Sequence, residues 1–240
     1  RADPRQQRVA SAERCFGEAL DQARVLEDTR MAAHASNNLA SVAHLQSRPD
    51  LALSLYRSAL LEYQRLGDRR GTAQTYHNLG LAFRQRADWE DAEASSLQAV
   101  RHAEQVGDPA LLALAVLGRA EIHLLRDELG LVERELTRAD QLAREAADEV
   151  GLADAGRLRG LLALRQGDLP AAEAVAREAR AVAERIGSTQ LMAECTAVLA
   201  TALHRLGREQ ESAPFRAEAR AIFTRLGATN MLQDFERMLM

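Results

Sequence analysis

Residues 76–83 read YHNLGLAF, and forty positions upstream residues 36–43 read SNNLASVA. Both carry Asn-Leu followed by a small residue, set among apolar positions three and four apart, which is the spacing of one helix face. The same interval governs the rest of the chain. Small residues recur at Ala19, Ala59, Ala99, Ala139, Ala179 and Ala219, and again at Ala40, Gly80, Ala120, Gly160 and Ala200. A third series runs Ala33, Ala73, Ala113, Ala153, Ala193, and a fourth runs Gly67, Gly107, Ala147, Gly187, Gly227. Four series in one register define a forty-residue repeat, and repeats of that length are helical hairpins that stack on one another.

Each unit divides into two helices. In the second, Ala73, Tyr76, Leu79, Gly80 and Phe83 make one stripe over residues 72–85, RADW turns the chain, and residues 89–105 form the return helix. Gly107 closes that helix, and Asp108-Pro109 caps and starts the next. Pro214 is compatible with a late-starting helix capped by Ser212. Gly80 with Ala92, and Gly160 with Ala172, are expected where the two helices of a hairpin approach closely. The reading is an all-α, right-handed solenoid forming a single domain over 1–240. It has an orphan helix in 1–28, repeats at 29–68, 69–108, 109–148, 149–188 and 189–228, and the start of a capping helix at 229–240.

Composition agrees. The 240 residues are 47% hydrophobic but only 4% aromatic, the profile of close-packed helices. A net charge of −4 and a pI near 5.9 speak against a nucleic-acid-binding surface, which needs a clustered positive field. All 31 basic residues are Arg, set among carboxylates in the pattern of solvated i, i+4 pairs. Cys15 and Cys195 are isolated, as expected of core packing in a reducing compartment. The chain has no apolar run of about 18 residues, and RADPRQQR lacks a leader's apolar segment. A cytoplasmic, non-membrane protein is expected, and the initial Arg in place of Met points to a piece of something longer. No phosphate loop, nucleophile elbow or zinc-binding His-Glu-x-x-His occurs, and the six histidines make no i, i+3 or i, i+4 pair. No catalytic residue, metal site or cofactor is expected.

These small-residue offsets, with Leu before the first and a large residue such as Tyr56 or Leu136 between the later two, resemble the tetratricopeptide repeat. The forty-residue spacing with Gly-Asp joints is similar to the branch found in bacterial regulators of the MalT and LuxR type and in peptide-pheromone receptors. Arg119 and Arg159 depart from it, standing where Leu39, Leu79 and Leu199 stand. Ala176 and Arg216 likewise replace the large residue of the second helix. The resemblance implies a protein-binding scaffold, the sensor or docking arm of a larger bacterial signalling or transcription regulator. Alternatives are a self-association scaffold acting through the terminal helices and a regulatory appendage of an enzyme.

The resemblance also implies that the first helix of each hairpin lines a concave groove for a peptide or protein segment. Candidate contacts are His34, Asn37 and Asn38 in the first repeat, His77, Asn78, Leu81 and Arg84 in the second, Leu117 and Glu121 in the third, and Arg157 and Leu161 in the fourth. Asn38 and Asn78 occupy equivalent positions and either hold a peptide backbone, tie neighbouring helices together, or face water. Leu114, Leu117, Leu124 and Leu125 belong either to the groove or to the core. Arg119 and Arg159 either anchor an acidic ligand or pair with nearby glutamates such as Glu133 or Glu135.

Overall fold

A computed structural model describes residues 4–240, with side chains from Val9 onward; the first three residues of the segment 1–28 lie outside the described residues. The helices, in order, are α1 (Pro4–Val25), α2 (Thr29–Leu45), α3 (Pro49–Arg65), α4 (Arg69–Gln85), α5 (Trp89–Val106), α6 (Pro109–Leu125), α7 (Leu129–Glu145), α8 (Glu149–Gln166), α9 (Leu169–Arg185), α10 (Thr189–Arg205), α11 (Glu209–Leu226) and α12 (Thr229–Leu239). No strand occurs among the described residues. The chain forms two compact units that divide after Ile122. Each is a solenoid of antiparallel helical hairpins. Among the described residues no helix is long and apolar enough to cross a membrane.

What sets the hairpin is a backbone conformation. Left-handed residues fall at Glu27, Ser47, Gly67, Ala87, Gly107, Asp127, Ala147, Gly167, Gly187, Gly207 and Gly227, one every twenty residues. The structural beat is therefore half the sequence repeat. After all of them but Gly107 the next N–H reaches back to the preceding helix, as Asp68 to the Tyr63 carbonyl at 2.9 Å, Asp148 to Ala143 at 2.8 Å and Asp168 to Ala163 at 2.9 Å; at Gly107 the glycine's own N–H bonds the Ala103 carbonyl at 3.3 Å. This bond satisfies a carbonyl that the helix end would leave without a partner. The same residue then opens the following helix. Asp28 accepts from the Met31 N–H at 2.9 Å, Asp68 from Gly71 at 2.8 Å, and Asp168 from Ala171 at 3.1 Å.

In the first unit α2 pairs with α3 and α4 with α5, α3 packs on α4, and α1 lies on α2. The core joins Leu53, Tyr56, Leu79, Phe83 and Ile122 across alanines that are fully buried. A Cβ added at Gly80 would stand 3.5 Å from the Ala92 carbonyl oxygen, so the expected close approach is realised. In the second unit α8 pairs with α9 and α10 with α11, while α12 covers α10 and α11. A Cβ at Gly160 would meet Val198 Cγ1 at 2.8 Å and the Ala172 carbonyl oxygen at 3.8 Å, a contact only glycine permits. Ala176 is fully buried, and Phe215 supplies bulk on its cluster, lying beneath the guanidinium groups of Arg177 and Arg180 at 5.8 and 5.7 Å. The residue next to Arg216 thus fills the volume that Ala176 and Arg216 leave.

Two expectations are corrected. Helix α11 begins at Glu209 and not after Ser212, so Pro214 stands inside it. Ser212 is buried and its hydroxyl donates to the Ala200 carbonyl of α10 at 2.8 Å, tying the hairpin instead of capping a helix. The arginines also do more than pair within helices. Arg48–Glu13 (2.7 Å) ties α1 to the first hairpin, and Arg86–Asp50 (2.7 Å) links the two hairpins that follow. In the second unit Arg180–Glu218 (2.9 Å) and Arg208–Glu173 (2.5 Å) link successive hairpins, while Arg185–Glu149 (2.7 Å) joins the two helices of the α8–α9 hairpin. Exposed pairs of this kind contribute at most about 1 kcal/mol each.

Ala147 holds φ at 52°, a conformation that crowds the Cβ of an L-residue. Ala147→Gly is expected to raise the unfolding free energy by about 1 kcal/mol, while Gly67→Ala lowers it by a similar amount. Urea titration of the two variants measures both.

Candidate ligand-binding face

The first helices of the hairpins in unit one, α2, α4 and the first part of α6, stand side by side, and most of the expected contact residues lie on them. Asn37 is half-buried on α2. Its Oδ1 accepts from Thr75 Oγ1 at 3.4 Å and from Asn78 Nδ2 at 3.3 Å, both on α4. The amide tie between repeats therefore runs from Asn78 to Asn37, one position before the equivalent Asn38. Asn38 itself is exposed. Thr75, fully buried, is a partner that sequence reasoning missed; its hydroxyl also donates to the Gly71 carbonyl at 2.7 Å, which gives no pattern to read. Ser41 hydrogen-bonds the buried Tyr56 hydroxyl at 3.0 Å, and exposed His34 meets the Tyr63 hydroxyl through Nδ1 at 3.0 Å.

One turn further along α4 the chemistry becomes charged. Arg84 Nη1 stands 2.5 Å from Glu121 Oε2 on α6, with both side chains about a quarter exposed at 24% and 21%. His77 is wedged between α4 and α6. A Cβ at Gly118 would fall 2.7 Å from its Cε1 and Nδ1, so the glycine that replaces asparagine at this offset makes room for the ring. Burial pushes the His77 imidazole down to about 4; the nearby Glu121 opposes the shift and Arg84 adds to it. On α2, His44 is also held below its ordinary value, by burial and then by the charge of Arg84. Arg84 thus sits between two neutral imidazoles and one carboxylate. Leu81 is half-buried beside them.

Other expected contacts belong to the interior. Leu117 is 2% exposed and Leu124 4%, so both pack into the core and leave the surface to Leu114 and Leu125. The physical reason is the helical stripe: Leu117 and Leu124 lie seven residues apart on the apolar face. Arg157 is 8% exposed; its Nε reaches Asp154 Oδ1 at 2.7 Å and Glu194 Oε2 at 3.1 Å, a closed group in the second unit. Leu161 packs half-buried against the Val198–Leu203 core. Arg159 pairs within the chain: its guanidinium reaches Asp140 at 2.5 Å and the Leu136 carbonyl at 3.3 Å, so its carboxylate partner is Asp140 and not Glu133 or Glu135. Arg119 is half-buried on α6. Cys195 is buried, and its thiol is pushed up to about 12 by desolvation, which makes it inert at neutral pH. No cluster of three or more His, Cys, Asp or Glu able to hold a metal ion occurs among the described residues.

Residues 30–105 match the tetratricopeptide repeat family, and the hairpins outside that span repeat the same geometry. Over residues 30–105 the chain is therefore similar to the tetratricopeptide repeat. No curated protein matches it in sequence. Among solved structures it is similar to a Rap protein complexed with competence and sporulation factor, at TM-score 0.77 and 14% identity over 92% of this chain and 62% of that one. Aspartyl phosphate phosphatase F from Bacillus subtilis gives TM-score 0.71 at 14% identity, covering 93% of this chain and again 62% of the other. BtubC (BKLC) from P. vanneervenii gives 0.69 at 17% identity, covering 91% and 92%. At these identities the likeness is one of fold, and the chain spans less than two thirds of the first of these relatives.

The His77 environment has a pH consequence. Unfolded, the ring protonates near its ordinary value of 6.5; folded, only near 4. Between the two the unfolded chain binds more protons, so the contribution of the neutral ring is complete above 6.5 and is lost as pH falls toward 4. This window is worth up to about 3 kcal/mol. Urea unfolding from about pH 7 to about pH 4.5 is expected to show that decline, and His77→Gln to flatten it.

Proposed function

We propose that the chain is a non-catalytic peptide- or protein-binding module whose α2–α4 face takes an extended segment. The observation that carries this reading is the placement of amides. Asn37 and Asn78 bridge adjacent repeats at the surface with Asn38 exposed beside them. Asparagine is poorly suited to a helix interior because its side chain competes for backbone hydrogen bonds. Three of them on one face leave donors and acceptors that match a peptide unit. The fold shared with a Rap protein solved with competence and sporulation factor supports the same reading.

The forty-residue repeat and its Gly-Asp joints favour a narrower assignment. The module is the sensor or docking arm of a larger bacterial signalling or transcription regulator, and it works in the cytoplasm. Pull-down from a random peptide library tests the binding claim. Wild-type chain is expected to enrich a peptide set, and Asn38→Ala with Asn78→Ala to lower its capture about tenfold, the loss of two hydrogen bonds. Unchanged capture by the double variant overturns the assignment of these amides.

A further inference from the structure

The amide tie between α2 and α4 has equivalent positions forty residues on, and there it cannot form. Asn37 and Asn78 meet across the first pair of helices at 3.3 Å, and Thr75 reaches the same amide oxygen at 3.4 Å. Between α4 and α6 the equivalent positions hold His77, Gly118 and Ala115. Gly118 and Ala115 are buried and carry no side-chain donor or acceptor. The space an asparagine at 118 would need is filled by the His77 ring, since a Cβ there would fall 2.7 Å from its Cε1 and Nδ1. Along its outward side α6 presents exposed Leu114 and half-buried Arg119 and Glu121 in place of amides. The equivalent asparagines, Asn38 and Asn78, therefore have no third member on α6.

We propose that His77 sets the length of segment this face holds: by occupying the place of a third amide it confines recognition of a ligand's backbone to α2 and α4. This rests on the peptide-binding reading above. Packed helices lie about 8–10 Å apart and an extended chain advances about 3.3 Å per residue, so each helix in the row serves about three residues. Asn38 and Asn78 together serve about six, and chain beyond them passes α6 without an amide to meet. The ring and the glycine act as a pair. Asparagine is shut out of position 118 while the ring is present, and His77→Asn with Gly118→Asn rebuilds at α4–α6 the arrangement that Asn37 and Asn78 have at α2–α4.

The test takes the peptide that the whole wild-type chain enriches most from a random library of about twelve residues, twice the expected span, and measures its nested truncations by fluorescence anisotropy. Wild-type affinity is expected to rise up to about six residues and then to level off. The double variant is expected to move that plateau out by about three residues, with a gain of about fivefold for the longer peptides. Gly118→Asn alone is expected to lower the urea midpoint, because its Cβ meets the ring, and addition of His77→Asn to restore it. A wild-type affinity that keeps rising to about nine residues or more overturns the proposal, as does an unmoved plateau in a double variant whose midpoint is restored. A midpoint that does not recover overturns the pairing of ring and glycine, and the proposal with it. These outcomes leave peptide binding standing, whereas failure of wild type to enrich any peptide overturns the peptide-binding reading and the length limit together.

Discussion

The constraint on which the structure depends is a left-handed residue every twenty positions, from Glu27 to Gly227. At each one the outgoing helix is closed by a backward hydrogen bond and the next is opened, often by an aspartate. Equal helix lengths follow from equal spacing. With lengths equal, the same positions meet at every hairpin, and these are where buried alanine and glycine stand. Close packing by small side chains is thus a consequence of where the chain turns.

Half of this rhythm was legible in the residues. Gly67, Gly107, Gly187 and Gly227 advertise their conformation because glycine alone adopts it at no steric cost. Joints at Glu27, Ser47, Ala87 and Asp127 carry no such mark, and there the backward hydrogen bond and packing hold the backbone in place. The helices, the repeat and the hairpin contacts at Gly80 and Gly160 were readable from spacing alone. Pro214 was misread because the tie that uses Ser212 runs to Ala200 across the hairpin, and a bond between helices leaves no local signature.

The ligand face was legible in part for the same reason. Periodicity places Asn37 on α2 and His77, Asn78 and Arg84 on α4 at positions expected to meet a ligand, but it does not say which of them are satisfied internally. Arg157 and Leu117 share that periodicity and are buried, one by carboxylates on α8 and α10, the other by apolar neighbours. Arginine explains much of the difficulty. Its long planar donor reaches between repeats, as in Arg86–Asp50 and Arg180–Glu218, so partners stand 36 or 38 residues away and escape any helix-periodic search.

The claim that the chain turns on left-handed joints is tested most directly where glycine is absent. Backbone 13C chemical shifts of Ser47, Ala87, Asp127 and Ala147 report the sign of φ without reference to packing. Left-handed shifts at all four, with helical shifts on either side, are the predicted result. Right-handed or extended values at any of them would contradict the account, because the twenty-residue spacing that aligns the hairpins would then have another cause.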